Sequence, residues 1–184
     1  MRAAAEAADI GIIVYNTYTT STAVGRGLVE RLVELPNVVG LKWATQTNDF
    51  MEFELVIKEF AGRLSIIDNQ VRFVTSHILG ARSIELHMCN YWPQWGVELW
   101  QLLEDGRYRE AQLELARVAL PYYTLWKELE QYTGGDGYLD KLCMELVGLE
   151  SSRCRPPTRD IRTKYRERVR QMLIDSGVPG VVSL

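Results

Sequence analysis

Short apolar runs alternate with longer runs of helical spacing through the first half of the chain. This alternation predicts βα units built on a parallel sheet. Residues 10–16 (Ile-Gly-Ile-Ile-Val-Tyr-Asn) form the first expected strand. Ser21 or Thr22 can then cap a helix with Leu28, Leu32 and Leu35 on one face, and Pro36-Asn37 stops it. Residues 38–43 (Val-Val-Gly-Leu-Lys-Trp) predict the second strand. A helix capped near Asn48-Asp49 follows, carrying Phe53, Val56 and Phe60 as far as Gly62. The third strand falls at 64–68, a helix over 71–79 ends at Gly80, and the fourth strand runs over 83–88.

Beyond Pro93 the pattern predicts only helices, at 93–105, 108–132, 138–149 and 159–174, with Pro121 as a kink or break in the second. In the last of them Ile161, Tyr165, Val169 and Met172 share one face, and Arg159, Arg162, Arg166 and Arg170 lie opposite. Asp160 and Glu167 interrupt that basic face, so it reads as a solvated helix surface, not a nucleic-acid site. The expected organisation is a strand-bearing part at 1–92 and a helical part at 93–184, with no low-complexity linker between them. Four parallel units suit either a small doubly wound sheet or half of a closed barrel, and periodicity alone does not choose.

Composition narrows the function classes. The 184 residues are 47% hydrophobic and 24% charged with a net charge of −3, which is ordinary globular composition and argues against nucleic acid or anionic membrane as partners. No apolar run reaches membrane-spanning length, and the first nine residues read as an Ala-rich helix. The three cysteines, Cys89, Cys143 and Cys154, have no C-x-x-C spacing, which fits reduced thiols in a cytoplasmic protein. No metal cluster, phosphate loop or Ser-His-Asp pattern stands out, so no metal or other cofactor is expected.

Chemistry in parallel α/β proteins gathers where strands finish. Those positions hold Tyr15-Asn16, Lys42, Asp68-Asn69, Glu85 and His87. Lys42 sits between Gly40-Leu41 and Trp43-Ala44, in a strand whose burial disfavours a charged amine. A neutral amine can attack a ketone to give a Schiff base. The ordinary alternative is a lysine turned to solvent at the strand end. A phenol at Tyr15 could relay protons, or simply be a core aromatic. Alternation puts Glu85 and His87 on the same side of the fourth strand, and His77, in a helical stretch, reads as structural.

The segments Ile-Val-Tyr-Asn (13–16) and Val-Gly-Leu-Lys-Trp-Ala (39–44) resemble the dihydrodipicolinate synthase and N-acetylneuraminate lyase superfamily, marked by Tyr-Asn ending the fifth barrel strand and Gly-x-Lys ending the sixth. Further matches in order are Leu79-Gly80-Ala81 through Asn90, Gly106-Arg107-Tyr108-Arg109-Glu110-Ala111, and Arg155-Pro156-Pro157. The resemblance implies an α/β fold made of strands five to eight of a TIM (βα)₈ barrel, followed by a C-terminal helical extension. It also implies a homo-oligomer whose Lys42 forms a Schiff base with a 2-keto acid such as pyruvate, with Tyr15 relaying protons.

The departures from the family pattern matter as much. The family's carboxylate-binding threonine pair and a second tyrosine, the latter from a neighbouring subunit, belong to the first half of the barrel, and Met1 aligns in the helix before strand five. The chain therefore reads as a truncated or split barrel, to be completed by an N-terminal half. Thr20 stands where synthases place an arginine for the aldehyde's carboxylate, and Glu85, followed by His87, replaces a small or aliphatic residue. Dihydrodipicolinate synthesis is thus not the expected reaction. Thr20, Asp68, Glu85 and His87 are the expected substrate contacts of a divergent aldolase, dehydratase or hydratase-aldolase. The other reading is an inactive half barrel that persists as an oligomer or binding module, because a lysine without its positioning groups is slow.

Overall fold

The structure, a computed structural model, describes residues 2–17, 24–44, 51–135, 137–149 and 153–182. The chain divides into two compact units, Met1–Leu86 and His87–Leu184.

The first unit contains α1 (Arg2–Ala7), β1 (Ile12–Asn16), α2 (Arg26–Leu32), β2 (Val38–Trp43), α3 (Glu52–Phe60), β3 (Ser65–Asp68), α4 (Phe73–Leu79) and β4 (Ser83–Ile84). All neighbouring strands are parallel and their order is β1-β2-β3-β4. An order that never reverses is not that of a doubly wound sheet. Right-handed crossovers then bring every helix back to the same face.

The side chains agree with this topology. Val14, Leu41 and Ile66 share one cross-strand row, as do Asn16, Trp43, Asp68 and Ile84. These rows face the helices, where Leu41, Trp43 and Ile66 join Val29, Leu32, Phe53, Val56, Ile57 and Phe60 in one core. Tyr15, Lys42 and Ile67 form the row between them and, by alternation, point to the opposite face. There Ile13 is 55% and Tyr15 49% exposed.

Two local features tune the sheet. The register slips between Ile12 and Ile13, because Ile12 pairs with Val38 but Ile13 with Gly40. This bulge turns Val38 into the same core as Leu41, although the two stand three positions apart and strict alternation would put them on opposite faces. Gly40 is needed because Ile13 lies across it: a Cβ there would come within 3.1 Å of the Ile13 side chain and 3.2 Å of the Ser65 carbonyl. At the end of α4, Gly80 takes φ 115° and its N–H caps the helix, as expected of a glycine stop.

The second unit begins with a 3₁₀ turn at His87–Asn90 and continues through α5 (Pro93–Glu104), α6 (Tyr108–Glu114), α7 (Leu120–Thr133), α8 (Gly137–Leu146) and α9 (Arg162–Asp175). Leu99, Leu103, Tyr122, Leu129, Leu142, Tyr165 and Val169 supply its buried centre.

Several expectations change. The fourth strand ends at Ile84 and His87 opens a 3₁₀ turn, so alternation does not relate His87 to Glu85. The expected break at Pro121 is a π turn over Leu115–Ala119, with the Leu120 N–H bonded to the Leu115 carbonyl. A proline at the start of α7 lacks the N–H that would continue the α pattern. In α2 the buried residues are Val29 and Leu32, while Leu28 is exposed, because the helix starts at Arg26. The caps expected at Ser21 or Thr22 and at Asn48-Asp49 lie outside the described residues.

On α9 the buried positions are Arg162, Tyr165, Val169 and Leu173, so Arg162 is not on a solvated face. Its guanidinium reaches Glu145 at 2.8 Å and Asp160 at 3.3 Å. Hydrogen bonds from the Arg162 backbone and the Tyr138 hydroxyl pull the Asp160 pKa down to about 2. The basic face is thus matched by carboxylates, with Arg166 on Glu145 and Arg168 on Glu128. Among the described residues no helix is long and apolar enough to cross a membrane.

Candidate active site on the uncovered face of the sheet

The row that carries Tyr15 and Lys42 is the last but one of β1 and β2, and register alone brings the side chains together. The Lys42 side chain is 25% exposed, with Nζ 4.5 Å from the centre of the Tyr15 ring. On its other side Nζ lies 4.0 Å from Oε1 of Glu85. Glu85 follows β4 directly, and its N–H donates to the Asp68 carbonyl at 2.9 Å. Pairing with the end of β3 therefore aims a residue beyond the strand at the lysine.

Asn69 completes the group. Its N–H donates to the Trp43 carbonyl at 3.0 Å, which sets the turn after β3 above the end of β2. From there Nδ2 donates to the Tyr15 hydroxyl at 3.1 Å. Sequence reasoning noted Asn69 only as the neighbour of Asp68, and its reach across an intervening strand leaves no trace in spacing. Asn16 was read in the same way with Tyr15. It is buried, accepts from the Val24 N–H at 3.1 Å and donates to the Val24 carbonyl at 3.3 Å, tying off the loop that leaves β1.

Asp68 lies on the helix side of the sheet, in the row of Trp43. It is fully buried, accepting from Ser76 Oγ and from the Gln70 N–H, each at 2.6 Å. Burial raises its pKa, and the bonds from Ser76 and Gln70 partly offset this. Its visible role is to fix the turn that presents Asn69. Asp68→Ala should cost about 1–3 kcal/mol in urea unfolding by stranding the Gln70 N–H, and Asp68→Asn below about 1 kcal/mol. A raised folded-state pKa means the ionised carboxylate costs stability above the titration range, a cost relieved as pH falls through it. Asp68→Asn should flatten that part of the stability–pH curve.

His87 belongs to the second unit. Its Nδ1 is 2.8 Å from Oδ2 of Asp140, an oxygen that also accepts from Asn90 at 3.1 Å. The ring stacks on Tyr122 at 5.8 Å and meets the edge of Tyr123 at 6.0 Å. Burial, with Asp140 beside it, pushes the Tyr122 hydroxyl far above its ordinary range. Tyr15, Lys42 and Glu85 are therefore brought together in one unit, Asp68 stands behind them, and His87 is engaged in another cluster. Thr20 lies outside the described residues.

Among the described residues no cluster of three His, Cys, Asp or Glu side chains is placed to hold a metal ion. A cleft of about 540 Å³ in the second unit is lined by Trp95, Arg107, Glu114 and Arg117 among others. Its two arginines are each paired with a neighbouring carboxylate, Arg107 with Glu110 and Arg117 with Glu114, so neither is left as an unmatched cation for an anionic ligand. The sheet face opposite the core differs in kind. It presents an amine close to a phenol ring and to a carboxylate, the residue types that nucleophilic and proton-transfer chemistry uses.

Solved structures with the same fold include dihydrodipicolinate synthase from Aquifex aeolicus, at TM-score 0.76 and 22% identity over 96% of this chain and 59% of that one. YagE from E. coli K12, a prophage protein of the dihydrodipicolinic acid synthase family in complex with pyruvate, superposes at TM-score 0.80 and 16% identity over 96% of this chain and 59% of that one. N-acetylneuraminate lyase from Fusobacterium nucleatum gives TM-score 0.67 and 18% identity over 89% and 54%. The chain thus spans less than two thirds of the length of each. No curated protein sequence matches significantly. The model of the dihydrodipicolinate synthetase family matches residues 1–175, and the chain belongs to that family.

Proposed function

We propose that the chain contributes strands five to eight of a (βα)₈ barrel and acts, in the completed barrel, as a Schiff-base lyase of aldolase or dehydratase type on a 2-keto acid. The observation that carries this reading is Lys42 Nζ held between the Tyr15 ring and the Glu85 carboxylate on the sheet face opposite the helix-side core. Family membership and the unreversed strand order support it. A complementing N-terminal half supplies the remaining strands, and the helical part over 93–184 is the C-terminal extension.

The chemistry follows from the groups present. The Lys42 ammonium passes a proton to Glu85 and the amine adds to the keto carbon. The carbonyl oxygen, protonated by way of Tyr15, leaves as water. The sum is balanced, since ammonium plus ketone gives iminium plus water. The iminium then accepts the electron pair of the bond broken at the adjacent carbons. Glu85 beside the lysine repels a second substrate carboxylate and favours a hydroxyl there. This suits a sugar-acid derivative better than the substrate of dihydrodipicolinate synthesis.

Pyruvate, which the E. coli neighbour holds, is the first probe. Borohydride reduction in its presence should leave a mass adduct on Lys42, and a wild-type chain unlabelled even with its complementing half would sink the proposal. The second reading, an inactive oligomer or binding module, draws on the fraction of the neighbours' length that is matched. A stable oligomer of defined solution mass that takes up no keto acid is its signature.

A further inference from the structure

We infer that Asn69 is the positioning residue of Tyr15, orienting the phenol so that its proton serves the carbonyl oxygen of the keto acid at Lys42. The inference rests on the Schiff-base reading and adds to it a group that acts only through the tyrosine.

Three contacts lead to it. The buried Asp68 carboxylate holds the Gln70 N–H and Ser76, locking the turn on either side of Asn69. The Asn69 N–H is bonded to the Trp43 carbonyl, next in sequence to Lys42. With its backbone anchored there, the side chain reaches past β2 to the Tyr15 oxygen at 3.1 Å. An amide NH₂ only donates, so the phenol oxygen must accept this bond. The phenol's single hydrogen is then directed elsewhere, and Lys42 Nζ lies 4.5 Å from the centre of the same ring.

The step this serves is the collapse of the carbinolamine. The nitrogen lone pair of Lys42 forms the C=N bond as the C–O bond breaks, and the departing hydroxyl takes the Tyr15 proton to leave as water. Tyr15 is left as a phenolate, which the Asn69 N–H stabilises by hydrogen bonding until a proton returns from solvent. No oxidant or further reactant is needed.

The test uses the full chain, in its completed barrel, with pyruvate and a borohydride quench at timed intervals, following the Lys42 adduct by mass. Asn69→Leu should slow adduct formation about tenfold, the worth of one hydrogen bond, and Tyr15→Phe about a hundredfold. The double variant should be no slower than Tyr15→Phe alone, because Asn69 has nothing left to orient. Asn69→Gln, which keeps the donor, should recover part of the rate. Asn69→Asp keeps the shape but only accepts, so it should be slow, and it replaces the leucine variant if that one fails to fold. Multiplicative slowing in the double variant, or an Asn69→Asp chain at wild-type rate, would overturn the assignment to Asn69 alone. An unlabelled wild type would instead remove the Schiff-base reading beneath it.

Discussion

Replacing Lys42 by alanine should abolish the borohydride-trapped pyruvate adduct expected from the proposed function, while the fold persists. The side chain is partly exposed and lies on the face of the sheet away from the core, so its loss opens no cavity among Leu41, Trp43 and Ile66. Arginine is no substitute. It stays protonated, and a guanidinium is not a nucleophile toward a ketone. Glu85→Gln separates binding the keto acid from turning it over. It keeps the amine and removes the proton acceptor 4.0 Å away, so the adduct should form more slowly without being abolished, while turnover falls about a hundredfold or more. The pair is read by peptide mass mapping and steady-state kinetics. Adduct at full yield in Lys42→Ala would mean that another amine does the work.

The second large effect lies one residue further on. Trp43 is fully buried and stacks on Phe53 with ring centres 6.2 Å apart. Trp43→Ala should cost about 3–5 kcal/mol in chemical denaturation, a large part of the roughly 5–15 kcal/mol that holds a domain of ordinary stability. Trp43→Phe keeps most of the apolar volume and should cost far less. Such damage extends to the site, because the Trp43 carbonyl seats the Asn69 N–H. A stability loss below about 1 kcal/mol for the alanine variant would show that the helix-side core is not the main support of β2.

The juxtaposition of Tyr15 and Lys42 was legible in the sequence because it depends on short-range pattern. The second strand falls at 38–43 as expected, and an uninterrupted run with a glycine two residues before the lysine leaves little freedom in register. Tyr15 opposite Lys42 follows once the two strands are parallel. What pattern could not supply are features fixed by distant partners. Ser-Ile-Glu-Leu-His-Met alternates as a strand should, yet the chain turns after Ile84, where His87 meets Asp140 from far along the sequence. The basic face of α9 looked solvated because Glu145, which pairs with Arg162 and Arg166, comes from α8, so spacing within α9 did not mark Arg162 as buried. Asp68 resembled a site residue because a carboxylate ends its strand. Alternation counted from the core residue Ile66 places it on the helix side.

The strand order has a consequence for how the chain behaves in company. Among the described residues β1 and β4 each pair on one side only. The outer rim of β1 reads Ile-Ile-Val-Tyr-Asn, without the lysine, proline or inward charge that usually keeps such a rim from sticking to other chains. A closed barrel has no rim at all. A rim of this kind is a surface to which other chains can add a strand, and closure of the barrel proposed above would cover it.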